Sequence, residues 1–149
     1  MLDTPLPMTR EQIQAYLPHR DPFLFIDCVK ALTETTIIAE SYVDPNLDVF
    51  KGHFPNKPIM PGVLLIETVA QAGALIIAMN TDNSAETRLT AFSSVESAKF
   101  RQPVYPEDKL VVKVAILRSR GGFYKFAGSA TVNEQIVVEL KFAASQISL

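Results

Sequence analysis

Glu67 is the one ionisable residue in the nineteen-residue stretch 61–79, PGVLLIETVAQAGALIIAM. A carboxylate in an apolar helix is costly to bury as an anion, so it must be neutralised, partnered or used. Two readings are open. Glu67 sits at the helix periphery or in a buried ion pair, or apolar surroundings keep it protonated and make it a general acid near neutral pH. Gln71 lies four residues on, one turn along the same face, where its amide can hold the carboxyl group.

His53 stands in Gly52-His53-Phe54-Pro55. It is either a hydrogen-bonded loop histidine or a neutral imidazole held as a general base. Gly52 permits close backbone approach there, and Phe54-Pro55 pins the chain. The other histidine, His19 in Leu17-Pro18-His19-Arg20-Asp21-Pro22, reads as part of a structural polar turn. Gly62 and Val63 open the apolar helix, where backbone N–H groups lack intrahelical acceptors and the helix dipole is positive. Such amides bond water or loop carbonyls by default, and they can also stabilise a carbonyl oxygen that gains charge in a reaction. Two histidines and one cysteine, none at ligand spacing, imply no metal site. Gly-x-Ser-x-Gly, GxGxxG and Walker patterns are absent, so neither a serine hydrolase nor a nucleotide cofactor is expected.

These groups need a scaffold. A short helix is expected over 9–17, with Thr9 and Gln12 forming a capping box and Pro18 as the stop. Runs 23–32 and 35–43 read as strands, the second rich in β-branched residues. Prolines 55, 58 and 61 hold the 52–62 segment extended, and Pro61 suits the first helical turn. After a polar loop over 80–84 the chain is nearly all strand. Leu110, Val112, Val114 and Ile116 should share one face; Tyr124, Phe126, Gly128, Ala130 and Val132 another; Ile136, Val138, Leu140 and Phe142 a third. Arg120-Gly121-Gly122 and Asn133-Glu134 are short turns that make these strands consecutive hairpins. The sum is an α+β fold in which about six strands form a curved antiparallel sheet wrapped around one long helix. Pairing two such sheets edge to edge would protect their edges.

The bulk properties agree. A chain of 149 residues suits one domain, 1–149, with a single core. A formal charge of -2 without a basic run gives no support for nucleic acid. Cys28, alone in an apolar run, is expected to pack in the core, and its solitude fits a reducing, cytoplasmic setting. No signal-peptide pattern opens the chain. The 61–79 stretch is long enough for a bilayer, but Glu67 and Gln71 near its middle and Pro-Gly at one end favour a buried helix over a span.

Five motifs occur in order: Leu17-Pro18-His19-Arg20-Asp21-Pro22-Phe23-Leu24, Gly52-His53-Phe54-Pro55, Pro61-Gly62-Val63-Leu64, Glu67 with Ala70-Gln71, and Lys99-Phe100-Arg101-Gln102-Pro103-Val104. As an ordered set over about residues 9–144 they closely resemble the FabZ-type 3-hydroxyacyl-[acyl-carrier-protein] dehydratases of the hotdog-fold superfamily. The resemblance implies a hotdog domain that forms a homodimer and, beyond it, a trimer of dimers. It implies a cofactor-free syn elimination of water from a 3-hydroxyacyl chain carried on the phosphopantetheine of acyl carrier protein. His53 would be the catalytic base and Glu67 the acid, facing each other from two subunits. Gly62 and Val63 would bind the thioester oxygen, and Gln71 would orient the acid. Glu67 rather than Asp marks the dehydratase branch over the FabA-type isomerising enzymes. Asp21, Asn56 and Glu107 depart from the family's usual Tyr, Gly and Gly.

An acyl chain needs an apolar tunnel, for which Ala70, Ala72, Gly73 and Ala74 leave room if they do not merely allow close helix–sheet packing. An acidic carrier would want a basic rim, with Lys99, Arg101, Arg118, Arg120 and Lys125 as candidates. Rival functions are a hotdog acyl thioesterase and a non-catalytic acyl-binding module.

Overall fold

The computed structural model describes residues 5–81 and 88–148; residues 82–84 of the expected polar loop lie outside the described residues. Seven strands form one antiparallel sheet in the order β1-β2-β3-β5-β6-β7-β4. They are β1 (Met8–Thr9), β2 (Cys28–Leu32), β3 (Thr36–Tyr42), β4 (Arg88–Phe100), β5 (Lys109–Arg120), β6 (Phe123–Val132) and β7 (Gln135–Ser148). Helices α1 (Arg10–Ile13), α2 (Val49–Gly52) and α3 (Gly62–Asn80) complete the described residues' regular elements, and α3 is the long one that packs on the sheet. The expected hotdog architecture is present, with the two-residue β1 adding a strand to the six read from the sequence.

The hairpins follow from their turn residues. Gly121 and Gly122 (φ 56° and 83°) join β5 to β6, and Asn133 and Glu134 (φ 50° and 68°) join β6 to β7. Two successive residues at positive φ match the right-handed twist of the flanking strands. The alternation in β5 is as expected, with Leu110, Val112 and Val114 buried. In β7 it slips: Ala130 pairs with Val138 while Thr131 pairs with Ile136, so Val137 is an extra residue. That bulge buries Val137 and turns Ile136, expected in the core, out to solvent.

Other corrections are local. The helix expected over 9–17 is regular only at Arg10–Ile13, although both bonds of the Thr9–Gln12 capping box form. Short-range turns carry the chain on to Leu17. Pro61 is the N-cap of α3 rather than its first helical residue, because its ψ of 135° is extended. Its carbonyl accepts from the N–H groups of Leu64 and Leu65. Cys28 is half-buried on β2, and its neighbour Val29 takes the core position. Glu107 adopts φ 74°, a conformation glycine enters freely and glutamate does not.

Helix α3 is long and apolar enough to cross a bilayer, but 67% of its most apolar 18 residues is buried inside the fold, as in a core helix. Its approach to the sheet is set by glycine. A Cβ on Gly128 would lie 2.5 Å from Cγ1 of the buried Val69, and one on Gly73 would lie 3.1 Å from the ring of Phe142. Gly128→Ala should therefore destabilise the protein by about 1–3 kcal/mol, as overpacking does. The expected result is a lower urea midpoint, partly restored when Val69→Ala is added.

Candidate active site

Glu67 lies in the second turn of α3, facing a cleft of about 140 Å³ between the helix and strand β4. Ala70, Ala74, Thr90 and Phe92 are among its walls. The small residues of the helix thus divide. Ala70 and the buried Ala74 line the cleft, whereas Ala72 and Gly73 pack away from it, Gly73 against the rings of Phe126 and Phe142.

Gln71, with 1% of its surface exposed, holds three groups at once. Its Oε1 accepts from the Phe25 N–H at 2.9 Å, and its Nε2 donates to the Phe23 carbonyl at 2.9 Å and to Glu67 Oε2 at 3.1 Å. The same bonds explain why β2 begins at Cys28 and not at residue 23. The Phe23 carbonyl and the Phe25 N–H are satisfied by a helix side chain, and the Phe23 N–H by the Arg20 carbonyl, so these groups need no sheet partner.

Burial pushes the Glu67 carboxyl above its ordinary pKa, and the Gln71 bond opposes that in part. Its neighbour is His19, expected in a structural turn, whose Nε2 is 3.7 Å from Glu67 Oε2. Burial, aided by the Arg20 charge, lowers the pKa of His19. Both shifts disfavour the charged forms that an ion pair would need. The signal that could have found His19 was its place in the first motif of the ordered set.

His53 is elsewhere. It ends α2 as the C-cap residue, its Nδ1 is 2.7 Å from the Ile59 carbonyl, and its ring stacks on that of Phe54. A carbonyl only accepts, so Nδ1 carries the proton and Nε2 presents a lone pair. Among the described residues, Glu67 has Gln71 and His19 as its side-chain partners, and His53 is not one of them.

At the start of α3, Val63 is exposed (71%) and Gly62 faces the Phe100 ring, with 2.8 Å from a virtual Cβ to Cε1. No side chain caps this end, so the Gly62 and Val63 amides lack a helical acceptor. The five basic candidates do not converge. Lys99 and Arg101 flank Phe100 and line an open groove on the sheet's outer face, where Lys113 and Lys141 join them. Arg101 is engaged by Glu139 at 2.8 Å and Lys125 by Glu96 at 2.9 Å. Arg118 pairs across the ladder with Lys125, and Arg120 abuts the β5–β6 turn, well along the strands from Lys99.

The FabA-like domain model matches residues 17–141. A 3-hydroxyacyl-[acyl-carrier-protein] dehydratase FabZ from Oleidesulfovibrio alaskensis is 42% identical over 135 residues, covering 90% of this chain and 88% of that protein. The FabZ of Granulibacter bethesdensis is 44% identical over 133 residues, covering 89% and 78%. Among solved structures, the dehydratase heterocomplex ApeI:P from Xenorhabdus doucetiae matches with a TM-score of 0.78 at 18% identity, over 97% of this chain and 93% of that one. A hypothetical thioesterase with coenzyme A from Streptococcus pneumoniae matches at 0.62 and 11% identity, over 80% and 84%. At such identities these two are likenesses of fold.

Proposed function

The chain belongs to the FabZ-type 3-hydroxyacyl-[acyl-carrier-protein] dehydratases, and we propose that His53 of one protomer and Glu67 of another form its acid–base pair. It dehydrates a 3-hydroxyacyl thioester to the trans-2-enoyl thioester in fatty acid biosynthesis. The lone pair on His53 Nε2 takes the C2 proton as the C2–C3 double bond forms. The C3–O bond breaks, and Glu67 gives its proton to the departing hydroxyl, which leaves as water. The thioester oxygen, gaining charge at C1, accepts from the Gly62 and Val63 N–H groups. The scheme uses no cofactor.

The observation that carries this reading is a half-buried carboxyl, its pKa raised by burial, near the edge strand of the sheet and, among the described residues, without His53 of its own chain as a partner. Strand β4 ends the sheet order, and Phe92, Val95 and Phe100 on it are exposed. A long apolar edge of that kind is protected by pairing with a second copy, which would bring a partner's His53 loop toward the Glu67 cleft. Lys99 and Arg101, next to Phe100 and the helix start, are the better placed of the basic candidates for an acidic carrier protein; Arg118, Arg120 and Lys125 would form a separate patch. A single domain, a trimer of dimers and a cytoplasmic setting complete the proposal on family likeness.

Mixing inactive His53→Ala and Glu67→Gln proteins tests the shared site. Half of randomly exchanged dimers are mixed and each mixed dimer keeps one intact pair, so about a quarter of wild-type activity should return. A mixture as inactive as its parents, with exchange verified by mass spectrometry, means that the pair is not shared between chains.

A further inference from the structure

Glu67 has two carboxyl oxygens, and only the one that faces the substrate can usefully carry the proton. Resting on the assignment of Glu67 as the acid, we propose that His19 is a positioning residue for it. Its Nε2–H and the Gln71 amide both donate to Glu67 Oε2, which leaves the acidic proton on Oε1.

The orientation of Gln71 is fixed by the backbone. Its oxygen accepts from the Phe25 N–H, so the end that meets Glu67 Oε2 at 3.1 Å is the NH₂, and Oε2 is an acceptor. His19 Nε2 approaches the same oxygen at 3.7 Å. That is longer than a hydrogen bond, and catalytic contacts of this kind tighten when substrate fills the site.

The loop that carries His19 is not free to swing. The Arg20 guanidinium bonds the carbonyls of Gln14, Leu17 and His19, and the His19 ring stacks on Phe23, whose carbonyl Gln71 holds. The third observation concerns the other ring nitrogen. His19 Nδ1 is buried without a hydrogen-bond partner among the described residues. A buried N–H with no acceptor is rarer and costlier than an unused lone pair. The ring proton therefore belongs on Nε2, on the side of Glu67. Burial and the Arg20 charge both favour the neutral ring that this tautomer requires.

His19→Phe keeps an aromatic ring against Phe23 and removes the donor, whereas His19→Asn keeps an N–H donor. His19→Phe should lower kcat about tenfold, the worth of one hydrogen bond, with KM changed less than about twofold. His19→Asn should recover part of that loss. In a Glu67→Gln background His19→Phe should cost nothing further, since it acts through Glu67. Wild-type kcat in a folded His19→Phe protein, or an equal loss in both backgrounds, would overturn the proposal. If Glu67→Gln is itself fully active, the acid assignment falls, and this proposal with it. Imidazole ¹⁵N shifts give a readout independent of the variants' folding: a wild-type His19 protonated at Nδ1 instead of Nε2 would sink the idea.

Discussion

Glu67→Gln should lower kcat by about 10²–10⁴-fold, the usual worth of a positioned general acid, without loss of fold. Glutamine keeps the size and the bond to Gln71 but has no proton to deliver. The pH profile should separate loss of the acid from general damage. Burial holds the Glu67 carboxyl protonated above the ordinary carboxylate range, and the acid works only in that form. Wild-type activity should therefore fall on the alkaline side as Glu67 ionises, and that limb should vanish in the variant.

Stability should move the opposite way. A carboxyl whose folded pKa is raised binds more protons in the folded chain than in the unfolded one. Its contribution is fully present below the unfolded pKa and is lost as pH rises through the raised folded value. Glutamine carries no such penalty, so the Tm of the variant minus that of wild type should increase from acid to neutral pH. A variant that is inactive and also less stable at neutral pH would point to a structural Glu67.

How much of this was legible in the chain depends on the range of the forces involved. The α3 helix and the β5–β6–β7 meander are written in local terms: apolar periodicity, Gly121-Gly122, and Asn133-Glu134 at positive φ. Glu67 and Gln71 as a couple were legible too, being one turn apart on a single helix. What was not legible depends on distant partners. The 23–27 run looks like strand, but Gln71 takes the Phe25 N–H and the Phe23 carbonyl from 46 and 48 residues away. The Val137 bulge depends on register against β6, and no residue type in β7 announces it. His19 sits beside charged neighbours in sequence and beside Glu67 only in space. The basic residues were grouped by charge alone, and the sheet separates them because strand position, not composition, decides which lysines share a groove.

Gln71→Leu should have the second largest effect, and it should strike stability and catalysis together. Leucine fits the space of the buried amide but bonds nothing. The Phe25 N–H would lose its partner in a buried site, and the Phe23 carbonyl would lose its partner in a half-buried one. Each such group costs about 1–3 kcal/mol when left unpaired and buried. The sum is a sizeable part of the roughly 5–15 kcal/mol that holds a domain folded. A lower urea midpoint is the expected result, and amide exchange at Phe25 should rise more than in the β5–β6–β7 ladders.

The catalytic consequence has a sign of its own. The Gln71 bond lowers the Glu67 pKa against the larger upward push of burial. Without that bond the carboxyl should ionise at still higher pH, and the alkaline limb should shift to higher pH even as kcat drops. Gln71→Glu separates the two roles. Its carboxylate can still accept from the Phe25 N–H, but it can no longer donate to Phe23, and it faces Glu67 with a like charge. That charge raises the Glu67 pKa further. The limb should therefore move further in Gln71→Glu than in Gln71→Leu. Equal shifts in the two variants would mean that Gln71 serves the loop alone and does not govern the acid.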